Sequence, residues 1–288
     1  MCTNRSGLSR GKAVLGVLTA GVAIALWAGQ GLAAEVRVDA SQNLQVGSSF
    51  SLDFGQVGGV ASALITDTNL SVAVDPELGS ARFVDYSQNI EPLILPGGFS
   101  TGAITVEIVE GSSVGTFDPI TKVFTTTETY AIHFTGDLSA FGLTSPVLLD
   151  GSSTGTVSIA TEIEGALDIN WVGESELSNP LDPSQPIEFT YACEVHTAFA
   201  PEPEQMLEIA LIPFVTTVDM PVWLQNNLLI NLDRASNFVD SGRDRQAIRT
   251  LNSFIDRVDS QSRRRIPAED AAAMINTAEG TIYLLQTR

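Results

Sequence analysis

Hydrophobic and polar residues alternate along most of the chain between residues 35 and 199. The clearest alternating runs cover residues 50–54, 104–108 and 123–135, and short clusters of Gly, Ser, Asp and Pro separate them. A period of two gives a strand one apolar and one polar face, so that one face packs while the other meets water. No helical pattern of useful length interrupts these runs. The pattern predicts an all-β antiparallel domain, either a sandwich or a partly closed barrel, and it excludes a doubly wound α/β fold.

A hairpin is predicted at Glu164-Gly165, where one alternating run ends and residues 167–171 begin another. Trp171 falls on the apolar face of the second run. Its indole is therefore expected to pack inside the domain rather than form an exposed surface for sugar stacking.

One short segment occurs twice. Residues 111–116 (GSSVGT) are similar to residues 151–156 (GSSTGT), and each segment follows an acidic residue. Gly-Ser loops are similar to one another by composition alone, and this interpretation is favoured. The alternative is a duplicated strand–turn–strand unit, although a single pair does not establish a repeat architecture.

The C-terminal part of the chain changes to the period of an α-helix. Apolar residues three and four positions apart define four short amphipathic segments, and helices of this length need packing partners to be stable. The four apolar stripes are Leu207, Ala210, Leu211 and Phe214; Leu224, Leu228, Leu232, Ala235 and Val239; Ala247, Leu251, Phe254 and Val258; and Ala271, Met274, Ile275, Ala278, Ile282 and Leu285. A small four-helix all-α bundle is therefore predicted for residues 201–288.

Capping and breaking residues indicate where these helices begin and end. Acidic residues around Pro203 suit the start of the first helix, and Gly242 suits a left-handed end of the second. The fourth helix is expected to begin near Pro267. Pro213 interrupts the first stripe, because it lacks a backbone N–H and clashes with the carbonyl of Ile209. A kink or an early stop is expected there.

Several short motifs follow one another in this helical part. They are Asn227-Leu228-Leu229 with Leu232-Asp233, then Ala247 with Leu251 and Phe254-Ile255, then Ile266 with Asp270-Ala271. In this order they resemble the FIMAH domain, over residues from about 201 to 285. That family is a small helical module near the C-terminal ends of many secreted, multi-domain bacterial proteins. The resemblance implies an accessory or interaction role and supplies no catalytic residues.

Residues 1–34 have the pattern of a secretory signal peptide. Three basic residues precede an apolar stretch at residues 13–28, and Leu32-Ala33-Ala34 ends in the small residues that signal peptidase accepts. The apolar stretch is short for a membrane span, so cleavage is favoured over a retained anchor. Export to the periplasm or the exterior is expected to follow cleavage after Ala34 or one residue earlier.

Charge divides the remaining chain into two parts. Residues 35–200 contain 22 acidic and three basic residues, a net charge of −19, whereas residues 201–288 contain 12 and nine, a net charge of −3. This shift, together with the Pro201-Glu202-Pro203 break, predicts a domain boundary near residue 200. The acidic surface repels nucleic acid and anionic membranes, so neither is expected as a partner. Solubility in a cation-rich exterior is favoured over cation binding, because net charge alone locates no site.

Cys193 and His196 are the first pair to test as metal ligands or as a nucleophile and its base. The odd positions from Ile187 to Phe199 are mostly apolar and most of the even positions are polar. Cys193 is therefore predicted to point into the core and His196 into solvent, on opposite faces of one strand. A buried thiol is inert. Because Cys2 lies in the signal peptide, the mature chain has no second thiol for a disulfide.

Other candidates for chemistry are interpreted as surface residues. His133 lies on a polar strand face, which predicts a solvated residue rather than the base of a Ser-His-Asp set. Glu162 with Glu164, and Glu174 with Glu176, are carboxylate pairs of the kind that glycosidases use. Acidic residues two positions apart on a strand typically lie on its solvent-exposed face, so both pairs are interpreted as surface residues. The sequence contains no His-Glu-x-x-His motif.

The run Arg263-Arg264-Arg265 between the last two helices is interpreted as a solvated loop. The alternative is contact with an acidic partner, including the β domain of another copy.

Together these features favour a secreted or periplasmic bacterial protein with a non-catalytic binding or structural role. The β domain is the expected scaffold or recognition part, and the helical module an accessory interaction domain. No catalytic, cofactor-binding or metal-ligating residue is predicted, nor any cofactor or membrane span in the mature chain. The expected partner is a protein or a surface polymer of unknown identity. The alternative is a secreted hydrolase or carbohydrate-binding protein that uses a β-sandwich groove, marked by exposed aromatic residues or a carboxylate pair facing a cleft.

Overall fold

The structure is a computed structural model that describes residues 35–41, 44–179, 182 and 184–288. The predicted signal peptide and its cleavage site lie outside these residues. The described part contains twelve strands: β1 (Val36–Asp39), β2 (Ser49–Asp53), β3 (Val60–Asp75), β4 (Ser80–Ile90), β5 (Ile94–Leu95), β6 (Phe99–Ser100), β7 (Ile104–Ile108), β8 (Val114–Asp118), β9 (Val123–Phe134), β10 (Val147–Thr161), β11 (Glu164–Leu177) and β12 (Ile187–Phe199). A one-turn helix α1 (Gly55–Gly58) follows β2, and a 3₁₀ turn (Ser139–Phe141) follows β9.

Eight of these strands close into an antiparallel barrel. The order around the barrel is β2, β3, β4, β7, β9, β10, β11 and β12, and β12 pairs back with β2. Successive strands of the barrel follow the order of the chain, so it is an up-and-down meander. Strand β1 is added beside β3, β8 lies between β4 and β9, and β5 and β6 form a separate hairpin. The predicted all-β antiparallel fold is confirmed and takes the form of a closed barrel.

The alternation of side chains in each strand fills the barrel interior. In β12 the odd-numbered residues are buried and the even-numbered residues are exposed or half-exposed. The ring of Trp171, from β11, is fully buried and stacks on Tyr130 with 4.3 Å between centroids. Phe50 and Tyr191 pack against the same indole at 5.7 and 5.2 Å. The prediction that Trp171 packs inside is confirmed, and these four rings contribute much of the buried apolar area in the middle of the barrel.

The turn between β10 and β11 lies two residues earlier than predicted. Glu162 and Ile163 form a two-residue hairpin loop, and β11 begins at Glu164. Ile163 is 72% exposed, because residues of such a loop leave the alternation of the ladder. Gly165 is part of the strand, where a Cβ atom would lie 2.6 Å from the ring of Phe199. The reversal predicted at Glu164-Gly165 was therefore wrong, and Glu162 and Glu164 do not share a strand face.

The two similar Gly-Ser segments adopt different structures. Gly111 lies in a turn that leads into β8 and has a φ of +75°. Gly151 lies inside β10, where the ring of Tyr130 approaches its backbone and leaves no room for a Cβ atom. The segments are alike in composition alone, and the alternative of a duplicated strand–turn–strand unit was wrong.

A region of four helices follows the barrel. The first runs from Pro203 to Thr217 as α2 (Pro203–Gln205), a π-helical stretch (Met206–Leu211) and α3 (Ile212–Thr217); the others are α4 (Val222–Asp240), α5 (Asp244–Gln261) and α6 (Ala268–Thr287). The apolar stripes predicted for α4 and α5 are buried, and Gly242 after α4 has a φ of +65° as expected. The predicted helical region is confirmed. Within the described residues, no helix has the length and apolar character needed to cross a membrane.

The first helix passes through Pro213 without an early stop. Before the proline the helix widens to the π-helical stretch, in which the N–H of Ile212 bonds to the carbonyl of Leu207. A wider turn changes the hydrogen-bond register, so that the missing N–H and the ring of proline are accommodated. Of the kink or early stop expected at Pro213, the early stop was wrong, and a π-helical stretch precedes the proline.

The first helix covers one end of the barrel. Ile209 is buried in the same hydrophobic cluster as the barrel interior, and the amide of Gln205 donates a hydrogen bond to the carbonyl of Arg37 in β1 at 2.6 Å. On α6, a Cβ atom at Gly280 would lie 3.2 Å from the side chain of Glu162, so the β10–β11 turn packs against this helix. Barrel and helices thus belong to one compact unit.

Candidate functional site

Polar side chains occupy the middle of the barrel interior. Glu128 of β9 is only 4% exposed, and one oxygen of its carboxylate accepts hydrogen bonds from the hydroxyls of Tyr130 and Ser153 at 2.5 and 2.6 Å. Its other oxygen has no partner among the described residues. Burial, reinforced by the Glu128 carboxylate, raises the pKa of Tyr130, so the phenol remains a hydrogen-bond donor at neutral pH.

Glu128 was not among the residues predicted from the sequence. It occupies an even position of β9, on the same face as Phe124 and Tyr130, which are both buried. A carboxylate on an apolar strand face was the signal that could have found it, because an acid is rarely buried without partners.

Cys193 lies in the same interior, fully buried, as predicted. Its thiol donates a hydrogen bond to the side-chain carbonyl of Gln88 at 3.3 Å, and the polar ends of Trp171 and Tyr86 lie beside it. Burial raises the pKa of the thiol to about 12, so the reactive thiolate is suppressed at neutral pH. The geometry indicates a structural hydrogen-bonded layer in the barrel rather than a nucleophile.

An apolar pocket of about 110 Å³ lies at the end of the barrel opposite the first helix. Its lining includes the start of β10 and the end of β11, which are the strand ends farthest from the turn at Glu162. Its walls include Phe50, Ile132, Leu149, Leu177, Phe189 and Tyr191. Thr101, Ser175 and Glu176 are its polar lining residues.

Two short segments lie over this pocket. The β5–β6 hairpin contributes Leu95, and Phe99 at its end packs edge-on against Phe141 of the 3₁₀ turn with 5.0 Å between ring centroids. The hydroxyl of Thr101 accepts a hydrogen bond from the N–H of Leu93 at 2.9 Å, which holds the base of the hairpin. The pocket is therefore bounded by strands at its sides and by loop side chains above.

A groove of about 760 Å³ opens beside the pocket and shares Ser175, Glu176 and Phe189 with it. Four carboxylates line this acidic groove, those of Asp53, Glu174, Glu176 and Glu188. Glu176 lies directly opposite Glu188 in the β11–β12 ladder, an arrangement in which like charges repel. Among the described residues, none of the four carboxylates makes an ion pair.

The predicted pair Glu174 and Glu176 thus faces this groove, whereas Glu162 and Glu164 belong to the opposite end of the barrel. The aromatic residues that line the groove, Phe54 and Phe189, are both buried. The groove therefore offers carboxylates to a ligand but no exposed aromatic ring for sugar stacking.

Both histidines lie on the outer surface of the barrel. Nδ1 of His196 is 2.8 Å from a carboxylate oxygen of Asp168, and Nε2 of His133 is 3.9 Å from Glu107. Their side chains are 43% and 45% exposed, so His196 lies on the solvent side of β12 as predicted. Within the described part of the chain, no serine hydroxyl bonds to either ring and no group of three or more His, Cys, Asp or Glu is placed to hold a metal ion.

The fold and the pocket define a class of protein. An eight-stranded up-and-down barrel has an interior that is either filled by side chains or just wide enough for one small ligand. This barrel combines the two, because its middle is filled and one end holds an apolar pocket.

Comparison with known protein families matches residues 221–283 to the FIMAH domain. The match covers α4, α5 and most of α6, and it confirms the resemblance found in the helical region. The first helix and the barrel lie outside the matched residues. No curated protein matches the chain.

Proposed function

We propose that this chain is an exported bacterial binding protein whose barrel takes up a small apolar molecule in the pocket opposite the first helix. The observation that carries the proposal is the pocket of about 110 Å³ with almost wholly apolar walls. An engineered apolar cavity of about 150 Å³ in another protein stays dry and binds benzene, so this pocket approaches the size that takes one ring or a short branched alkyl group.

The ligand class follows from the lining. Thr101 already accepts the N–H of Leu93, which leaves Ser175 and Glu176 at the rim as the polar groups open to a ligand. A ligand with several polar atoms in the pocket would lose hydrogen bonds to water that the apolar walls cannot replace. The favoured ligand therefore has a compact apolar body and few polar atoms.

The placement of reactive groups supports a non-catalytic role. His133 and His196 lie outside the barrel wall, and Glu128, Tyr130 and Ser153 bond to one another in the packed centre. A general base must reach the proton it removes, and these groups do not line the pocket. In this proposal the FIMAH region contributes accessory contacts to a protein or surface polymer, and the signal peptide at residues 1–34 directs export.

Thermal unfolding in the presence of small apolar compounds tests the proposal. A ligand that binds only the folded state raises the melting temperature, by an amount that grows with its concentration. We expect single-ring and branched alkyl compounds to raise it and bulky or highly polar compounds of similar mass to have no effect. The proposal fails if no apolar compound, at any soluble concentration, stabilises the protein.

The second candidate is a carbohydrate-binding protein or hydrolase, which the acidic groove favours because Glu174, Glu176 and Glu188 face an open cleft. Glycoside hydrolysis needs two carboxylates on opposite sides of the scissile bond. Assays with chromogenic glycosides, comparing the protein with Glu174→Gln and Glu188→Gln, distinguish the two functions. Hydrolysis that either substitution abolishes would establish the second candidate, and its absence is expected.

A further inference from the structure

Four exposed arginines at one end of the helical region lack ion-pair partners. Arg257 lies in the last turns of α5, and Arg263, Arg264 and Arg265 form the loop between α5 and α6. Among the described residues none of them joins an ion pair. The guanidinium of Arg265 lies over the ring of Trp223, 4.8 Å from its centroid. These four arginines and Trp223 are called the basic surface below.

The loop that carries three of these arginines is held tightly. The carbonyl of Gln261 accepts hydrogen bonds from the N–H groups of Arg264, Arg265 and Ile266 at 3.1, 3.0 and 3.3 Å. Arg263 has a φ of +63°, a left-handed conformation that is costly for a residue with a Cβ atom. Because these hydrogen bonds fix the backbone of the loop, the backbone loses little conformational entropy when the arginines meet a partner. The loop therefore presents the arginines from a preorganised backbone.

An open groove of about 500 Å³ lies beside the loop, between α4 and α5. Trp223, Asn227, Asp256 and Arg257 line it, and Trp223 is 51% exposed. Tryptophan and arginine are the side chains most enriched at the energetic centres of protein interfaces. The basic surface thus combines charge, an exposed aromatic ring and a concave shape.

The barrel carries the complementary charge. Arg82 is bound by Glu35, Arg37 is bound by Ser71 and lies 3.7 Å from Asp39, and Lys122 is half-buried, so these three cations leave most of the barrel carboxylates uncompensated. The acidic groove holds four of these carboxylates without an ion pair among the described residues, and Glu176 and Glu188 repel each other there. No ion pair joins the groove to the basic surface within the described part of one chain.

We propose that the basic surface of one molecule docks onto the acidic groove of a second copy. A second copy carries the same net charge of −19 on residues 35–200, so the contact depends on the local pairing of these arginines with the groove carboxylates rather than on net charge. A second copy neutralises the charge of both surfaces, because each molecule offers its acidic groove to one neighbour and its basic surface to another. Unless two molecules make it reciprocally, this contact between different surfaces is heterologous and builds rings or open chains.

The salt dependence of mass in solution is the first test. At about 100 μM protein and about 20 mM salt, light scattering is expected to give species larger than a monomer, and at about 500 mM salt a monomer, since screening shortens the range of exposed charges. A monomer at low salt, or an assembly that high salt leaves intact, would overturn the proposal.

Charge reversal identifies the two surfaces. Arg257→Glu with Arg264→Glu is expected to weaken association at least about tenfold, because like charges then face one another across the contact. The matched control is Arg234→Glu with Arg249→Glu, which makes the same change of net charge at exposed helix positions away from the loop. Equal loss in both variants would mean that net charge alone governs association, and the proposed contact would be wrong.

Mixing variants tests the heterologous geometry. Glu174→Arg with Glu188→Arg removes the groove but keeps the arginines, so this variant and the Arg257/Arg264 variant are each expected to be monomeric at low salt. Because two unchanged surfaces remain, an equimolar mixture is expected to associate again. A mixture that stays monomeric would refute the contact. Binding of monomers to a vesicle or polyanion instead would assign the arginines to that partner.

Discussion

At the residue scale, the barrel depends on polar side chains placed where the pattern of alternation predicts apolar ones. Glu128, Tyr130 and Ser153 share short hydrogen bonds in the centre of the interior, and Cys193 bonds to Gln88 nearby. Buried polar groups cost stability unless they are paired, so each member of this layer depends on the others. The contribution of these hydrogen bonds to stability is testable by removing single atoms.

Tyr130→Phe removes a hydroxyl that donates to the Glu128 carboxylate. We expect the free energy of unfolding to fall by about 1–3 kcal/mol, because a buried carboxylate loses one of its two donors. Tyr283→Phe is the matched control, since Tyr283 is 52% exposed and is expected to change stability little. Urea unfolding of both variants measures the difference, and equal stability of the two would contradict the hydrogen-bonded layer.

Cys193 gives a second prediction at this scale. A thiol reagent in bulk solvent is expected to react with the folded protein only at the rate of unfolding, because the thiol is fully buried and its pKa is raised to about 12 by burial. In denaturant the same thiol is expected to react at once. Rapid stoichiometric labelling of the folded protein would mean that β12 faces the other way and that His196 points inward.

At the scale of elements, strands and helices were predictable where the apolar pattern is long and regular. The apolar residues of α4 and α5, spaced three and four positions apart, are buried as predicted. In β12 each residue lies on the face that the alternation predicts. The errors lie where local rules compete. Ile163 continues an apolar alternation yet belongs to a turn, and Pro213 stays inside a helix because a π-helical stretch accommodates it.

Glu208 on the π-helical stretch gives a prediction for the first helix. Burial raises the pKa of its carboxyl, with added repulsion from Asp240, while a hydrogen bond from Ser236 acts in the opposite direction. The folded state therefore holds this proton more tightly than the unfolded state, and its contribution to stability falls as pH rises from the unfolded pKa to the folded pKa.

Glu208→Gln is expected to raise the melting temperature by a few degrees at pH 8, since the buried charge is absent. The difference is expected to vanish near pH 4, where the carboxyl of the original protein is protonated. Glu279→Gln makes the same change at an exposed position of α6 and is expected to have little effect at either pH. A stabilisation by Glu208→Gln that is the same at both pH values would contradict a raised pKa of the Glu208 carboxyl in the folded state.

At the scale of the whole molecule, the sequence could predict the class of fold but not the sites. Barrel closure depends on β12 pairing with β2, and no local pattern encodes a contact between strands about 140 residues apart in sequence. The pocket is likewise formed by residues from separate strands and loops, such as Phe50, Leu93 and Leu177. Glu174 and Glu176 were recognised as a pair, but the position of Glu176 opposite Glu188 required the register of β11 and β12.

The central claim is that the apolar pocket binds one small ligand, and a pair of adjacent leucines tests it most directly. Leu149 lines the pocket, whereas Leu148 is 62% exposed on the other face of the same strand. Leu149→Trp fills the pocket with a larger side chain, and Leu148→Trp adds the same indole outside it. Circular dichroism melts of both variants check that each remains folded, because added volume in a packed site can cost about 1–3 kcal/mol.

The measurement is a calorimetric titration with a single-ring apolar compound such as toluene, at salt high enough to suppress contacts between copies. We expect saturable binding of one molecule of this compound per chain by the original protein and by Leu148→Trp, and loss of that binding in folded Leu149→Trp. Binding that survives in Leu149→Trp, or no saturable binding by the original protein, would contradict the assignment of the pocket as the ligand site.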